Sequence, residues 1–286
     1  MILINLNGAI TDAQDARIPV LDHGFLFGDS VYETLRTYHR KPFLFTRHFA
    51  RLEHSANAIH LNLPWSRERT FAEVLRTLDA TDASELRIRV MATRGPGDLS
   101  PDPDSCADPN MIIIVGPVPQ IPRQAYERGV NVRISSFYRS VQLAEAKTGN
   151  LMRQVLALRE AKAAGAFEAI LLTPDGQISD GISSNVYLVK NGRLRTPSRE
   201  AGIVAGITRR VVLELARRAG LEVFEGLLDR REIDSADEMF LTSTTREIVP
   251  VATVDGRPVG AGAPGPVTLG LMEAFRREIE VLIQED

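Results

Sequence analysis

The stretch that directs the fold assignment reads His23-Gly24-Phe25-Leu26-Phe27-Gly28-Asp29-Ser30-Val31-Tyr32-Glu33-Thr34-Leu35-Arg36. Its second half opens a predicted strand over residues 31–38, and a short apolar strand is predicted before it, at 2–6. After it, apolar residues recur at the spacing of a helix over 46–60. Strands and helices therefore alternate from the start of the chain.

The same patterns predict the remaining elements. Further helices are expected at 67–78, 151–164, 208–219 and from about 267. Further strands are expected at 86–93, 111–115, 130–136, 169–173, 185–189, 221–224 and 238–242. Three prolines between 117 and 122 predict a linker at 119–124, which joins a domain of residues 1–118 to one of 125–286. The expected fold is a mixed α/β (or α+β) one in two domains.

Composition narrows the functional classes. The 286 residues carry 34 Lys+Arg against 37 Asp+Glu, so the chain lacks the basic excess of a protein that binds nucleic acid. A single cysteine excludes an intramolecular disulfide and a Cys-rich metal site. The first residues show no basic leader, and no apolar run reaches the ~18–20 residues that a bilayer crossing needs. We therefore expect a soluble, cytoplasmic protein with no membrane partner.

Lysine is rare in this chain, with four residues against thirty arginines. An amine can lose its proton and attack a carbonyl, whereas a guanidinium stays protonated. Amine chemistry would therefore use Lys41, Lys147, Lys162 or Lys190. The first lies in a turn, the third on the polar side of a predicted helix and the last in a hairpin turn. Lys147 differs, because an amphipathic helix follows it.

Two segments are candidates for binding an anion. Residues 204–209 open a predicted helix, where free N–H groups, the positive dipole end and Gly206 suit a phosphate. In the alternative interpretation, Thr208 only caps a surface helix. Residues 243–245 (Ser-Thr-Thr) follow a predicted strand, and strand ends often bind ligands in α/β proteins. The alternative there is a plain turn.

Other polar positions are less specific. Arg51 on the predicted helix 46–60 is either an anion-binding group or a solvated arginine. The run 179–185 holds Asp180 in a Gly/Ser bend, or is a plain loop. The five histidines form no zinc-binding pattern, and neither a P-loop nor a serine-hydrolase elbow occurs. No metal is predicted.

Six motifs, taken in order, carry a family resemblance. The stretch 23–36 resembles the N-terminal signature of the class IV aminotransferases, the fold-type IV pyridoxal-phosphate enzymes. This group includes branched-chain aminotransferases, D-amino-acid transaminases and aminodeoxychorismate lyases. The resemblance continues, over nearly the whole chain, in His48-Phe49-Ala50-Arg51-Leu52, Ala146-Lys147-Thr148-Gly149-Asn150, Asp180-Gly181-Ile182-Ser183-Ser184-Asn185-Val186, Gly206-Ile207-Thr208-Arg209 and Ser243-Thr244-Thr245-Arg246-Glu247-Ile248-Val249-Pro250.

The resemblance implies pyridoxal 5′-phosphate (PLP) as the cofactor. Lys147 would hold it as a Schiff base and move a proton between the substrate Cα and the cofactor C4′. Val204 matches the position whose aliphatic side chain packs against the pyridine ring. Asp180 stands where the family usually has glutamate, which contacts the pyridine nitrogen. Because aspartate is one methylene shorter, we expect a shifted loop or a bridging water there.

The resemblance also implies how the cofactor phosphate is bound. Arg51 would pair with it, and the backbone amides of Ile207 and Thr208 would donate to it. The hydroxyls of Thr208 and of Thr244 or Thr245 would complete the cup.

Substrate-binding residues are less clearly indicated. Arg36 and Arg89 match pocket arginines of branched-chain enzymes, and they either bind the substrate carboxylate or face solvent. Tyr32 is a pocket candidate on the same grounds. The chain lacks the tyrosine that commonly follows the lysine in branched-chain enzymes. It also lacks, at 94–98, the Arg-x-His pair of the best-known D-amino-acid transaminases.

The expected activity is transamination between an amino acid and a 2-oxo acid such as 2-oxoglutarate. Branched-chain L-amino acids are the leading substrates. The alternatives are a D-amino-acid transaminase and a 4-amino-4-deoxychorismate lyase, which eliminates pyruvate. The resemblance also implies a homodimer, with the irregular loop 95–110 as a partner contact or a lid.

Overall fold

A computed structural model describes residues 1–139 and 146–285 of the chain. Within these residues the chain divides into two compact units. The first contains Met1–Pro119, Ala146–Asn150 and residues 281–285. The second contains residues 120–139 and Leu151–Glu280. The mixed α/β character predicted from the sequence is confirmed.

The first unit is built on an antiparallel sheet with the strand order β2-β1-β6-β5-β3-β4. Its strands are β1 (Leu3–Leu6), β2 (Ala9–Asp12), β3 (Ser30–Tyr38), β4 (Lys41–Pro42), β5 (Leu86–Thr93) and β6 (Asn110–Pro117). Its helices are α1 (His23–Leu26), α2 (Phe45–Ala58) and α3 (Arg67–Asp79).

Side-chain alternation decides which face of this sheet is the core. Successive residues of a strand point to opposite faces. Ile88 and Val90 of β5 therefore share the inner face with Val31 and Leu35 of β3, and all four are buried against α2 and α3. Glu33 lies on that same inner face, although it is charged. Tyr32, Arg36 and Arg89 lie on the opposite face by the same alternation.

Residues 146–150 pack onto β3 of the first unit. The N–H of Tyr32 donates to the carbonyl of Lys147 over 3.0 Å, and the N–H of Gly149 donates to the carbonyl of Ser30 over 2.9 Å. Val31 and Thr148 form an antiparallel bridge. The sequence predicts the lysine in a C-terminal domain of residues 125–286, but these backbone bonds place it with the first unit. The predicted bounds 1–118 and 119–124 stay a prediction.

The second unit is built on a nine-stranded mixed sheet with the order β12-β11-β10-β13-β14-β7-β8-β9, and β15 pairs with β14. Its strands are β7 (Val130–Tyr138), β8 (Glu168–Leu172), β9 (Ile178–Gly181), β10 (Asn185–Lys190), β11 (Arg193–Pro197), β12 (Val223–Gly226), β13 (Glu238–Ser243), β14 (Glu247–Val254) and β15 (Arg257–Pro258). The remaining helices are α4 (Arg123–Arg128), α5 (Met152–Ala163), α6 (Ile207–Arg218) and α7 (Pro266–Leu282).

Four strands of the second sheet, β9, β11, β14 and β15, are not among those that the sequence predicts. β14 contains Pro250, which argues against a central strand, yet β14 lies between β13 and β7. Its pairing with β7 begins only at Val251, one residue beyond the proline. β9 falls in the polar run 179–185 and is nonetheless fully buried. The central position of β14 depends on β7, a partner distant along the chain that local patterning does not show.

None of the helices in 1–139 and 146–285 has the length and apolar character that crossing a membrane requires. Within the same ranges, no three His, Cys, Asp or Glu side chains are grouped as metal ligands.

Candidate active site

The amine of Lys147 lies over an aromatic ring in the first unit. Its Nζ is 4.6 Å from the centroid of the Tyr32 ring. The guanidinium carbon of Arg89 is 4.2 Å from the same centroid. Tyr32 is buried, so its ring holds two cationic side chains at contact distance. The structure thus brings together three residues that the sequence assigns to the cofactor and substrate.

Arg51 is held by a buried carboxylate. Its Nε donates to Glu33 Oε1 over 2.6 Å, and its Nη2 donates to Glu33 Oε2 over 2.7 Å. The two side chains are 12% and 1% exposed, so this bidentate pair is largely out of water. The interpretation of Arg51 as a solvated arginine is therefore wrong.

His48 is the third member of this cluster. Its Nδ1 lies 2.7 Å from Glu33 Oε2, and its ring is buried. Burial works to raise the pKa of Glu33, but Arg51 and the hydrogen bonds from Arg51 and His48 outweigh it and hold that pKa below its usual range. Burial lowers the pKa of His48. His48 is therefore neutral and donates from Nδ1, while its Nε2 is buried without a partner among the described residues.

The two candidate substrate arginines differ in their surroundings. Arg36 forms an ion pair with Glu85 over 3.0 Å, and its guanidinium lies 4.1 Å from the centroid of the Tyr38 ring. Arg89 is paired across the sheet with Thr34 and contacts the Tyr32 ring. Only Arg89 shares an aromatic contact with Lys147.

In the second unit, Asp180 and Asn185 fix the backbone of Val204. The N–H of Val204 donates to Asp180 Oδ2 over 2.7 Å, and Asn185 Nδ2 donates to the carbonyl of Val204 over 2.8 Å. Asn185 Nδ2 also donates to Asp180 Oδ1 over 2.8 Å. Burial raises the pKa of Asp180 to about 6, against the opposing influence of Arg139 and the hydrogen bonds. Asp180 therefore titrates close to neutrality.

Within the part of the chain that the structure describes, no side chain caps the start of helix α6. The N-cap residue is Gly206, so the helix begins at Ile207 and Thr208 does not cap it. Ile207 and Thr208 are both buried. A Cβ at Gly206 would lie 2.0 Å from Asn185 Oδ1, so only glycine fits there. The first backbone N–H groups of this twelve-residue helix are left for a ligand by the geometry of a helix terminus.

The hydroxyl segment 243–245 leads into a hairpin turn. Ser243 pairs with Glu247, and Thr244 and Thr245 are half-buried in the three-residue loop between β13 and β14. Arg246 in this loop donates to Ser243 Oγ over 3.1 Å and to Ser183 Oγ over 2.7 Å. The turn predicted as an alternative is therefore present, and Arg246 ties it to the segment that follows Asp180.

Several residues of these clusters were missed from the sequence. They are Glu33, His48 and Asn185. Glu33 could have been identified from the sequence. It is charged, yet it alternates along the predicted strand with the apolar residues Val31 and Leu35, which lie on the core face. A charge on a core face requires a buried partner.

Comparisons with known proteins agree with this geometry. The family model for amino-transferase class IV matches residues 30–254. A putative branched-chain-amino-acid aminotransferase of Methanocaldococcus jannaschii is 38% identical over 273 residues, or 96% of this chain and 95% of that protein. A D-alanine aminotransferase of Bacillus licheniformis is 33% identical over 273 residues, with shares of 96% and 95%. A crystal structure of the Escherichia coli branched-chain amino acid aminotransferase has a TM-score of 0.91 and 32% identity, and the match covers 96% of this chain and 93% of that one.

The chain belongs to the class IV aminotransferases, so the family predicted from its motifs is confirmed. It is an enzyme, and PLP is the cofactor of this class.

The residues of each unit fit that cofactor. The first unit offers the amine of Lys147 for an aldehyde and a fixed guanidinium for a phosphate. The second offers the uncapped start of α6, which suits a phosphate, and the buried carboxylate of Asp180, which suits a protonated ring nitrogen.

The neutral His48 gives the first unit a defined response to pH. Below pH 6.5, the ordinary pKa of histidine, the unfolded chain takes up a proton that folded His48 does not. We expect the free energy of unfolding of the wild type to fall, relative to that of His48→Gln, by at most about 1.4 kcal/mol per pH unit. Urea unfolding of both apo proteins at pH 7, 6 and 5 measures this difference. A difference that does not change with pH would contradict the neutral assignment.

Proposed function

We propose that this protein transfers the amino group of branched-chain L-amino acids to a 2-oxo acid such as 2-oxoglutarate. The relatives named as aminotransferases support transamination, and those named as branched-chain enzymes support the choice of substrate. The observation that carries the proposal is the position of the Lys147 amine, 4.6 Å from the Tyr32 ring centroid that Arg89 also contacts. An amine, an aromatic ring and a guanidinium are thus available for an amino-acid substrate.

Lys147 is assigned two tasks. It holds PLP covalently through its ε-amine, and in its free form it carries the proton removed from the substrate Cα. The other lysines are assigned no role, and Lys162 is exposed on α5. PLP, when bound, supplies an electron sink for the pair left behind when the Cα–H bond breaks.

The cofactor phosphate is assigned to residues of both sequence halves. Arg51 is preorganised for it, because Glu33 fixes the plane of the guanidinium. The family resemblance adds the backbone amides of Ile207 and Thr208, and the uncapped start of α6 supports that assignment. The hydroxyls of Thr208 and of Thr244 or Thr245 complete the set.

Asp180 and Val204 are assigned to the pyridine ring. The carboxylate of Asp180 keeps the ring nitrogen protonated, and the Val204 side chain packs on the ring face. The direct hydrogen bond from the Val204 N–H to Asp180 supports this pairing, because it fixes the two groups together. Among the residues that the structure describes, each carboxylate oxygen accepts one hydrogen bond, which leaves lone pairs for the ring N–H.

Arg89, rather than Arg36, is assigned to the substrate carboxylate. Arg36 already forms an ion pair with Glu85, whereas Arg89 lies over the same ring as Lys147. Tyr32 would then contact the substrate beside the amine.

The proposal also includes two properties of the whole protein: it forms a homodimer, and it is located in the cytoplasm. The first unit exposes large apolar residues, which is typical of a surface that a partner covers. They include Val20, Leu21, Phe25, Phe27 and Leu99. Leu99 belongs to loop 95–110, which the sequence assigns to a partner contact or a lid.

Borohydride reduction tests the lysine assignment. We expect wild-type protein incubated with PLP to turn yellow and, after reduction, to carry the phosphopyridoxyl group on Lys147 in a peptide mass map. Lys147→Ala should carry none, because its nucleophile is gone. Lys162→Ala, a change at an exposed lysine, should label as the wild type does. Label on another lysine would overturn the assignment.

A half-reaction screen tests the substrate. The PLP-loaded enzyme is mixed with single amino acids, and conversion to the aminated cofactor is followed by absorbance. We expect rapid conversion by L-leucine and none by D-alanine. The reverse result would favour a D-amino-acid transaminase, for which the relative named D-alanine aminotransferase is the supporting observation. Release of pyruvate from 4-amino-4-deoxychorismate without an acceptor would favour the lyase.

Asp180→Asn tests the ring-nitrogen assignment. An amide cannot keep the ring nitrogen protonated, so we expect kcat to fall about 100-fold or more and the Kd for PLP to rise less than about tenfold. Since Asp180 has a pKa of about 6, wild-type affinity for PLP should weaken below pH 6 as the carboxylate is protonated. The variant should lack the part of that dependence which comes from the Asp180 carboxylate. Asp175→Asn, in an exposed turn, is the control, and full activity of Asp180→Asn would refute the role.

A further inference from the structure

Ser55 connects the backbone of the reactive lysine to the helix of the phosphate-binding arginine. It lies on α2, one turn after Arg51, and is fully buried. Its Oγ donates to the carbonyl of Arg51 over 2.8 Å. The same Oγ accepts a hydrogen bond from the N–H of Lys147 over 3.1 Å. One hydroxyl therefore bonds to the main chains of both residues.

These bonds close a circuit through the first unit. The carbonyl of Lys147 accepts from the N–H of Tyr32 over 3.0 Å. Tyr32 is covalently followed by Glu33, whose carboxylate holds the Arg51 guanidinium in two hydrogen bonds. Lys147 is thus fixed at its N–H by α2 and at its carbonyl by β3. Arg51 is fixed at its carbonyl by Ser55 and at its side chain by β3.

We propose that Ser55 is a positioning residue of the transaminase, which sets the main chain of Lys147 at a fixed separation from Arg51. The inference rests on the proposed function, in which the cofactor is attached to the amine and its phosphate is bound by the guanidinium. A ligand held at two points gains affinity only when both points are fixed at the right separation. Loss of the hydroxyl loosens that separation while leaving both binding groups in place.

A serine that bonds to the carbonyl four residues earlier is also common where it has no functional role. The chain supplies a matched case of that kind. Thr77, on α3, is fully buried; its Oγ1 donates to the carbonyl of Glu73 over 2.7 Å and accepts from Asn5 Nδ2 over 3.0 Å. It repeats the bonding pattern of Ser55 in the same unit without bonding to Lys147 or Arg51.

The test compares PLP with pyridoxal, which has the aldehyde but lacks the phosphate. Kd values for both are measured by absorbance for the wild type, Ser55→Ala and Thr77→Val. For Ser55→Ala we expect the Kd for PLP to rise about tenfold and that for pyridoxal less than about twofold, because pyridoxal is held at one point only. The preference for PLP should therefore fall. Thr77→Val should keep the wild-type preference, even if it lowers the melting temperature.

Each other outcome has a defined meaning. Equal weakening of both ligands by Ser55→Ala, or an unchanged preference, overturns the positioning role. Should Ser55→Ala not fold, Ser55→Cys decides, since a thiol fills the space but is a weak donor and acceptor. Ser55→Cys should lower the preference for PLP over pyridoxal at least about threefold. Borohydride labelling of wild-type Lys147 is done first: a wild type that takes no label refutes the proposed function, whereas a labelled wild type confines any failure to Ser55.

Discussion

The buried ion pair between Glu33 and Arg51 is the constraint on which the first unit depends. Removing one partner from such a pair leaves an uncompensated charge out of water, at a cost of about 3–5 kcal/mol. Because Glu33 is on β3 and Arg51 on α2, the pair fixes how this helix lies on the sheet. Tyr32, which is next to Glu33, donates its N–H to the carbonyl of Lys147. Ser55, one turn after Arg51, accepts a hydrogen bond from the N–H of Lys147. The position of the amine thus follows from one electrostatic requirement in the core.

Two of the buried carboxylates, Glu33 and Asp180, have pKa values that are shifted in opposite directions for a physical reason. Glu33 is paired with a guanidinium and a histidine N–H, so its pKa is low and its charge permanent. The donors to Asp180 within 1–139 and 146–285 are uncharged, namely Asn185 and the Val204 backbone, and burial raises the pKa of Asp180 to about 6. A fixed charge suits a structural anchor. A carboxylate whose pKa lies close to neutral pH is suited to pairing with a cationic ligand.

The sequence predicts this protein well where local pattern decides, and less well where distant partners decide. The alternation in β5 and the spacing in α2 and α3 give those elements to within one or two residues. β14 was missed because Pro250 argues against a central strand, and nothing local shows that its pairing with β7 starts one residue later. The chain position of Lys147 likewise suggests the second domain, whereas its backbone bonds to Tyr32 and Ser30 assign it to the first unit. The motifs identified the candidate site residues, but the partners that hold them, such as Glu33 and Asn185, become visible only in three dimensions.

The aspartate at position 180 illustrates how a shorter side chain is accommodated. A loop shift or a bridging water was expected, because aspartate reaches less far than glutamate. In the structure the carboxylate is bonded to the N–H of Val204, while Asn185 bonds to the Val204 carbonyl and to Asp180 itself. Any displacement of the carboxylate therefore moves Val204 with it. If Val204 packs on the ring and Asp180 contacts its nitrogen, both contacts shift together and their relative geometry is kept. Aspartate, which is one methylene shorter than glutamate, would then shift the position of the ring without changing its contacts with Val204 and Asp180.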